Sequence, residues 1–302
     1  MENLTQCPVC KETKFTPFLD CKDYTVSRET FTIVQCNSCE FKFTNPRPES
    51  KDLGKYYESD DYVSHSKSNK GFINSLYHIA KHYSLLKKIQ LINTLSKKGK
   101  LLDYGCGTGD FLNTCKVSGW EVSGIEPNDL ARNTAKELLK SEINSELSET
   151  SFEKNSFNII TLWHVLEHIS ELDKTVETLL SFLKPGGVLL IAVPNCNSYD
   201  AQIYEKYWAA YDVPRHLHHF VPKTTEKYFK NKGLALEKTL PMPLDSFYVS
   251  MLSEKYMAQE TGKSAGLGMI RAAWRGFISN IKAISKQGTS SSQVYIFKKG
   301  AF

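Results

Sequence analysis

A chain of 302 residues, 41% hydrophobic and 24% charged, has room for one sizeable core domain with an appendage and the composition of an ordinary globular protein. Its net charge of +5 is too mild to call for nucleic acid, which needs a concentrated basic face, and no apolar run approaches the about 20 residues that span a membrane. The opening MENLTQCPVC has no signal-peptide pattern, so the expectation is a cytoplasmic protein, in which clustered cysteines serve metal rather than disulfides.

Residues 1–45 carry CPVC and CNSC, two C-x-x-C pairs separated by 25 residues. Each pair can form a tight knuckle offering two thiolates. Cys7, Cys10, Cys36 and Cys39 together would close a tetrahedral zinc site with no position left for water, structural rather than catalytic. So short a segment buries little core, and the metal is expected to supply its folding energy. Neither knuckle ends in the glycine common in such ribbons. Cys21, the odd cysteine, reads as a small buried hydrophobe.

Residues 46–98 begin with a stretch rich in Pro, Ser, Tyr and charge, without helical period, that reads as a linker plus a lid or arm. Leu76, Ile79, Tyr83, Leu86, Ile89 and Ile92 then recur at spacings of three and four, an amphipathic helix over 72–96.

LLDYGCGTGDFL, Leu101 to Leu112, is an apolar strand exit followed by an acid and glycines at every second position. Gly105, Gly107 and Gly109 let the backbone turn tightly and admit a ligand against bare main chain. The dinucleotide fingerprint is G-x-G-x-x-G, and here the third glycine comes one residue early. Asp103 would repel a pyrophosphate but can pair with a cationic ligand such as an amino-acid ammonium. The ligand indicated is S-adenosylmethionine (SAM), and D-x-G-x-G-x-G after an apolar strand resembles motif I of the class I SAM-dependent methyltransferases. The resemblance implies a Rossmann-like α/β fold with a doubly wound, seven-stranded sheet whose last strand is reversed. In many members a segment before motif I folds over the cofactor, which makes Tyr56, Tyr57 and Tyr62 candidates; packing of the ribbon on the core is the alternative.

WEVSGIEPN forms a second strand ending at Glu126, with Pro127 beside it. In a parallel βαβ unit an acid there reaches both ribose hydroxyls of an adenosine. DLARNTAKELLK is a helix that Asn128 or Asp129 can cap. By the resemblance, the loop after strand three touches adenine, which assigns Leu147 and Ser148. FNIITL is the fourth strand, with Asn158 where the family usually has Asp. Its end brings Trp163 and His164 beside the reactive methyl. TLWHVLEHI resembles the corresponding segment of ubiquinone-type O-methyltransferases; VLEHI is expected to start a helix, with Glu167 capping or ion-paired. LKPGGVLLIAVPN reads turn and buried strand, a fold marker of the family.

YDVPRHLHHF resembles a D-x-P-R-H-L-x-x-F segment in a bacterial subfamily of SAM methyltransferase domains that also carries the N-terminal cysteine ribbon. It lies where these enzymes build their acceptor pocket. His216 is a candidate base or substrate contact, as is His164; Tyr211 and Arg215 are candidates to orient the acceptor. The later GLGMIRAAWRGFISNIKAIS reads as a packing helix or, alternatively, a peripheral membrane contact over 266–288. SSQVYIFKK is the reversed last strand. The expected organisation is a ribbon over 1–45, a linker and helix over 46–98, and a core over 99–302 with insertions at about 196–222 and 241–290.

The reaction expected is methyl transfer to a small molecule such as a sugar, lipid or quinone-like precursor. A protein or RNA methyltransferase gripping its substrate through the ribbon, and a SAM-binding module without turnover, are the alternatives.

Overall fold

The computed structural model describes residues 1–57, 72–262, 265–286 and 288–300. A central sheet is built from β4 (Lys100–Tyr104), β5 (Glu121–Ile125), β6 (Phe157–Trp163), β7 (Leu183–Pro194), β9 (Leu234–Pro241) and β10 (Ser292–Lys299), in the order β5-β4-β6-β7-β10-β9. The first four run parallel, and β10 lies antiparallel to both β7 and β9. Among the described residues six strands stand where seven are expected; the seventh position, beyond β5, is reduced to one parallel bridge between Ile125 and Asn144. The segment after Ile143 is mostly polar, so nothing there favours a longer ladder.

Helices cover both faces. α1 (Phe72–Leu95), α2 (Asp110–Val117) and α3 (Asp129–Leu139) pack on one side, and α4 (Leu172–Phe182) and α6 (Pro222–Asn231) on the other. Val188 to Val193 are all buried, because both faces of β7 are covered. Asn128 caps α3, its side-chain oxygen accepting from Ala131 N at 3.0 Å. VLEHI does not start a helix. Leu166–His168 make a single 3-10 turn and α4 begins later, at Leu172.

The cysteine-bearing segment forms a second sheet from β1 (Phe15–Lys22), β2 (Thr30–Cys36) and β3 (Lys42–Thr44), completed by β8 (His218–His219). β8 comes from the YDVPRHLHHF segment, pairing Phe43 with His218 and Lys42 with His219. Cys7, Cys36, Cys39, Phe41 and Phe43 share one continuous core with Leu162, Leu166, Ile191 and Phe220. The N-terminal segment is therefore seated on the main sheet through apolar contact rather than tethered beside it.

α5 (Tyr199–Tyr204) precedes β8, and between β9 and β10 the chain makes a helical hairpin, α7 (Pro243–Thr261) and α8 (Ala265–Ser285). Among the described residues no helix is long and apolar enough to cross a membrane.

Candidate active site

Between β4 and α2 the three glycines all take left-handed φ, +76° at Gly105, +55° at Gly107 and +80° at Gly109, which other residues rarely adopt. Two are also hemmed in: a Cβ on Gly105 would fall 2.4 Å from Val165 Cγ2, and one on Gly109 3.0 Å from Ala135 Cβ. Nothing lies within 4 Å of the same position on Gly107. That open cradle of bare backbone is where a ligand can approach.

Glu126 leaves the end of β5 and returns to this loop. Its Oε2 accepts from Gly107 N at 2.7 Å and its Oε1 from Asn128 N at 2.9 Å. Pro127 is exposed beside it, and its carbonyl with that of Glu126 accepts from Arg132 Nη1. Asp103 is buried and accepts from Thr161 Oγ1 at 2.6 Å. Burial raises its pKa to about 7, against the pull of Thr161 and of the Lys88 ammonium. Lys88 comes from α1, and its Nζ sits 4.1 Å above the Trp163 ring. Trp163 is half-buried against Phe111, and its Nε1–H lacks a partner. Leu147 and Ser148 form a short turn near the end of β5, Leu147 packed on the core and Ser148 exposed. These residues gather along the carboxyl edge of the parallel strands, where open α/β sheets bind ligands.

A cavity of about 490 Å³ adjoins this edge, lined by His164, His216, Asp212, Arg215 and Asp245, with Tyr24 and Thr25 from the cysteine-bearing segment and Val249, Leu252 and Tyr256 from α7. His164 takes φ +56° directly after β6. Its Nε2 lies 3.0 Å from Asp245 Oδ2 and its Nδ1 3.4 Å from Glu167 Oε1. Burial alone would lower its pKa, but the two carboxylates outweigh burial and raise it to about 10. The two carboxylates thus favour the protonated ring at neutral pH. The same ion pairs keep Asp245 and Glu167 below their usual range despite burial. Glu167 does not cap a helix; its carboxylate is 1% exposed and, among the described residues, its partner is the longer ion pair to His164.

His216 stands differently. Its Nδ1 lies 2.9 Å from the Ala210 carbonyl, which only accepts, so Nδ1 carries a proton, and its Nε2 lies 3.9 Å from Asp212 Oδ2. The other histidines of the segment are structural: His218 Nε2 bonds the Ile169 carbonyl and His219 Nε2 the Thr44 hydroxyl, both rings buried and held neutral by burial. His168, next to His216 with ring centroids 4.6 Å apart, is pushed down to about 4 by burial and by that neighbour.

Arg215 is 2% exposed. Its nitrogens bond both carboxylate oxygens of Asp212, Asp23 Oδ1 and the Tyr56 carbonyl, which leaves little for an acceptor. Tyr211 stands behind the cavity wall, packed against Trp208 and His219, with burial raising its pKa. The structure therefore brings His164 and His216 to the cavity and gives Arg215 and Tyr211 places in its frame. Tyr56 and Tyr57 touch this frame too, Tyr57 through His168 Nδ1 at 2.9 Å. Tyr62 lies outside the described residues.

At the N-terminus the sulfurs of Cys7 and Cys39 are 3.6 Å apart, those of Cys10 and Cys36 3.5 Å, and all four within 4.8 Å of one another. Four thiolates bound to one zinc stand roughly 3.8 Å apart at about 2.3 Å from the ion. The position after each knuckle, where glycine is absent, still takes the left-handed conformation, with φ 64° at both Lys11 and Glu40. Each donates its N–H to the carbonyl of the knuckle's first cysteine, at 3.0 Å.

Asp245, Asp23, Lys88, Thr25 and Tyr256 were not singled out by motif or spacing. Asp245 sits just inside α7 in PMPLDSF, where an acid in a first turn reads as a helix-dipole partner. Its role appears only when α7 folds over β6.

A family model described as a methyltransferase domain matches residues 77–239, more than half of the chain. Among curated proteins, the ubiquinone biosynthesis O-methyltransferase of Azoarcus sp. (strain BH72) is 30% identical over 151 residues, covering 45% of this chain and 64% of that protein. That of Saccharophagus degradans is 27% identical over 157 residues, covering 47% and 66%. The chain thus spans just under two thirds of the length of these relatives. Among solved structures, geranyl diphosphate C-methyltransferase from Streptomyces coelicolor A3(2), in complex with Mg2+, geranyl diphosphate and S-adenosyl-L-homocysteine, aligns over 84% of this chain and 89% of that one, with a TM-score of 0.51 and 13% identity, a likeness of fold. Matched over most of its sheet and carrying the mixed sheet with its reversed β10, the chain belongs to the methyltransferase-domain family of class I, SAM-dependent fold.

Proposed function

We propose that this chain transfers the methyl group of SAM to a small molecule held in the 490 Å³ cavity. The observation that carries the reading is the junction between loop and cavity. β4 and β6 are paired neighbours, Gly105 abuts Val165, and Trp163, His164 and Val165 follow one another out of β6. A donor on the glycine loop and an acceptor in the cavity would meet there.

SAM supplies an already activated sulfonium methyl. In this reading Glu126 binds the ribose hydroxyls with Pro127 alongside, Gly105, Gly107 and Gly109 give the donor bare backbone, and Asp103 with Trp163 lies toward its amino-acid end. Leu147 and Ser148 border the adenine. Holding the two reactants in line contributes about 7 to 11 kcal/mol in well-oriented systems. His216 takes the acceptor's proton at Nε2, a role usually worth about 100 to 10,000-fold. His164, held between Asp245 and Glu167, fixes the cavity wall where β6 ends. Arg215 and Tyr211 keep His216 and the cavity wall in place. Cys7, Cys10, Cys36 and Cys39 hold a structural zinc ion, consistent with the reduced thiols of a cytoplasmic protein.

The division into a ribbon over 1–45, a linker and helix over 46–98, and a core with acceptor insertions over 196–222 and 241–290 is part of the same reading. So is the acceptor class: a sugar, lipid or quinone-like precursor.

The test is release of S-adenosylhomocysteine on incubation with SAM and size-fractionated cell extract. Turnover with the small-molecule fraction supports the reading. Turnover only with macromolecules would assign the chain to protein or RNA methylation, and none with any fraction would leave a SAM-binding module. His216→Ala should lose turnover and keep SAM affinity in calorimetry; retained turnover removes His216 from the chemistry.

A further inference from the structure

The hairpin of α7 and α8 carries an apolar stripe that the described fold does not cover. On α8, Leu267, Ile270, Trp274, Phe277, Ile281 and Ile284 recur at alternating steps of three and four, which gathers them within a face of about 100°. Their exposures run from 48% at Ile281 through 62% at Trp274 to 84% at Ile284. The opposite face is the one that packs. Ala272 and Ser279 are buried, and Gly276 faces α7 so closely that a Cβ there would fall 2.7 Å from the Phe247 ring. Small residues seat the helix while its large apolar residues turn away from the protein, the reverse of a core-forming helix. On α7, Leu244 and Met251 add exposures of 43% and 38%. An apolar surface of this kind marks an interaction site.

Its charges are of one sign. Arg271, Arg275 and Lys282 are the charged residues of α8, with Lys286 following, and the helix has no acid. Among the described residues Arg271 and Arg275 share a single carboxylate, Glu254 of α7, so the pair carries a net positive charge there. Lys282 lies 4.5 Å over the Tyr199 ring and reaches the surface beside the stripe.

We propose that this face docks on the surface of an anionic lipid bilayer. α8 lies in the plane of the interface, its stripe in the boundary between headgroups and acyl chains and its basic flank against lipid phosphates. Apolar burial supplies the anchoring, and the basic residues supply the preference for anionic lipid. Trp274, at the middle of the stripe, is the residue type that settles at such interfaces. A second copy of the chain fits less well. The three-four spacing would suit a helix pair, but an antiparallel pairing brings Arg271, Arg275 and Lys282 against their own kind. None of these stripe residues lines the cavity, so docking stands independently of methyl transfer.

The experiment is sedimentation of the full chain with vesicles of phosphatidylcholine, alone or mixed with phosphatidylglycerol, with tryptophan emission recorded in parallel. Binding should favour the mixed vesicles by roughly tenfold or more, fall with added salt, and shift Trp274 emission to the blue. The double substitution Trp274→Ser with Ile281→Ser should abolish binding at an unchanged urea midpoint, since both positions are exposed. Lys282→Glu with Lys286→Glu should weaken it by roughly tenfold. Failure of the chain to sediment with mixed vesicles overturns the proposal, as does equal binding to both vesicle types that ignores the lysine substitutions. A concentration-dependent dimer that the Trp274 and Ile281 substitutions dissolve, without vesicle binding, assigns the face to a second copy and overturns it as well.

Discussion

Asp23, at the end of β1, and Arg215, in the segment that leads into β8, form an ion pair closed to solvent, with Oδ1 and Nη2 2.9 Å apart and side chains 0% and 2% exposed. Asp23 is otherwise saturated by the backbone of Thr25, Val26 and Ser27 and by the Ser27 hydroxyl. Arg215 in turn bonds Asp212, and both line the cavity. The cysteine-bearing segment thus supplies part of the frame on which the cavity is built.

Removing one member of a buried pair strands the other, at a typical cost of about 3 to 5 kcal/mol. Asp23→Ala should lower the urea unfolding free energy by that order while calorimetric SAM affinity, which depends on the opposite end of the site, changes little. A loss under about 1 kcal/mol would show that Asp212 alone compensates the guanidinium.

Glu126 is held in place by two backbone N–H groups, so its carboxylate is pre-set rather than ordered by the ligand. Glu126→Ala removes an acceptor of charge-assisted hydrogen bonds worth about 1.5 to 3 kcal/mol each, so the SAM dissociation constant should rise by roughly ten- to several-hundred-fold. Calorimetry measures this, and an unchanged affinity would overturn the assignment.

The His164 ring binds its proton more tightly when folded, pKa about 10, than a free histidine near 6.5. A raised folded pKa stabilises fully below the unfolded value and is lost as pH rises through the folded one. The urea midpoint should therefore decline between about pH 6.5 and 10. His164→Gln should flatten that decline, and an identical pH profile in the variant would show that His164 is not the group responsible.

His218 is the opposite case, pushed down to about 3 by burial and the nearby Arg47 charge. The folded state resists its protonation, so the stability it contributes is present above about pH 6.5 and lost as pH falls toward 3. His218→Phe, which keeps the ring but not the Ile169 bond, should move the acid midpoint to lower pH; circular dichroism across an acid titration reads it directly.

Metal analysis should return about one zinc per chain, and chelation should lower the melting temperature. Because Tyr24 and Thr25 line the cavity and Asp23 pairs with Arg215 of its wall, methyl transfer should fall with the metal, while SAM affinity should be largely kept. Equal loss of both would place the effect in global unfolding.

Local chemistry made much of this legible in the sequence. The glycine loop, the acid ending β5 and the paired cysteines are each a short-range pattern tied to one physical need, and the structure sets Glu126 on Gly107 N and brings the four sulfurs together. Contacts between distant segments were not legible. His164 read as a neutral base because histidine alone titrates near neutrality; two acids, one three residues on and one on α7, reverse that. Arg215 read as an acceptor contact because its partner Asp23 lies 192 residues away. The last helix read first as core packing, with a peripheral membrane contact as the alternative, because its period is that of a core face. Its seat is made by glycine, alanine and serine instead, which a search for large apolar residues passes over.

The two residues of β8 tie together parts of the chain that would otherwise be separable. A fragment begun at Phe72 would retain the glycine loop, Glu126 and the whole parallel sheet, yet β8 would have no strand to join and Arg215 would face a gap where Asp23 had been. Such a fragment could still be retained on immobilised S-adenosylhomocysteine while being inert toward every acceptor. On the proposed reading, recognition of the donor and commitment to a substrate are carried by different lengths of polypeptide.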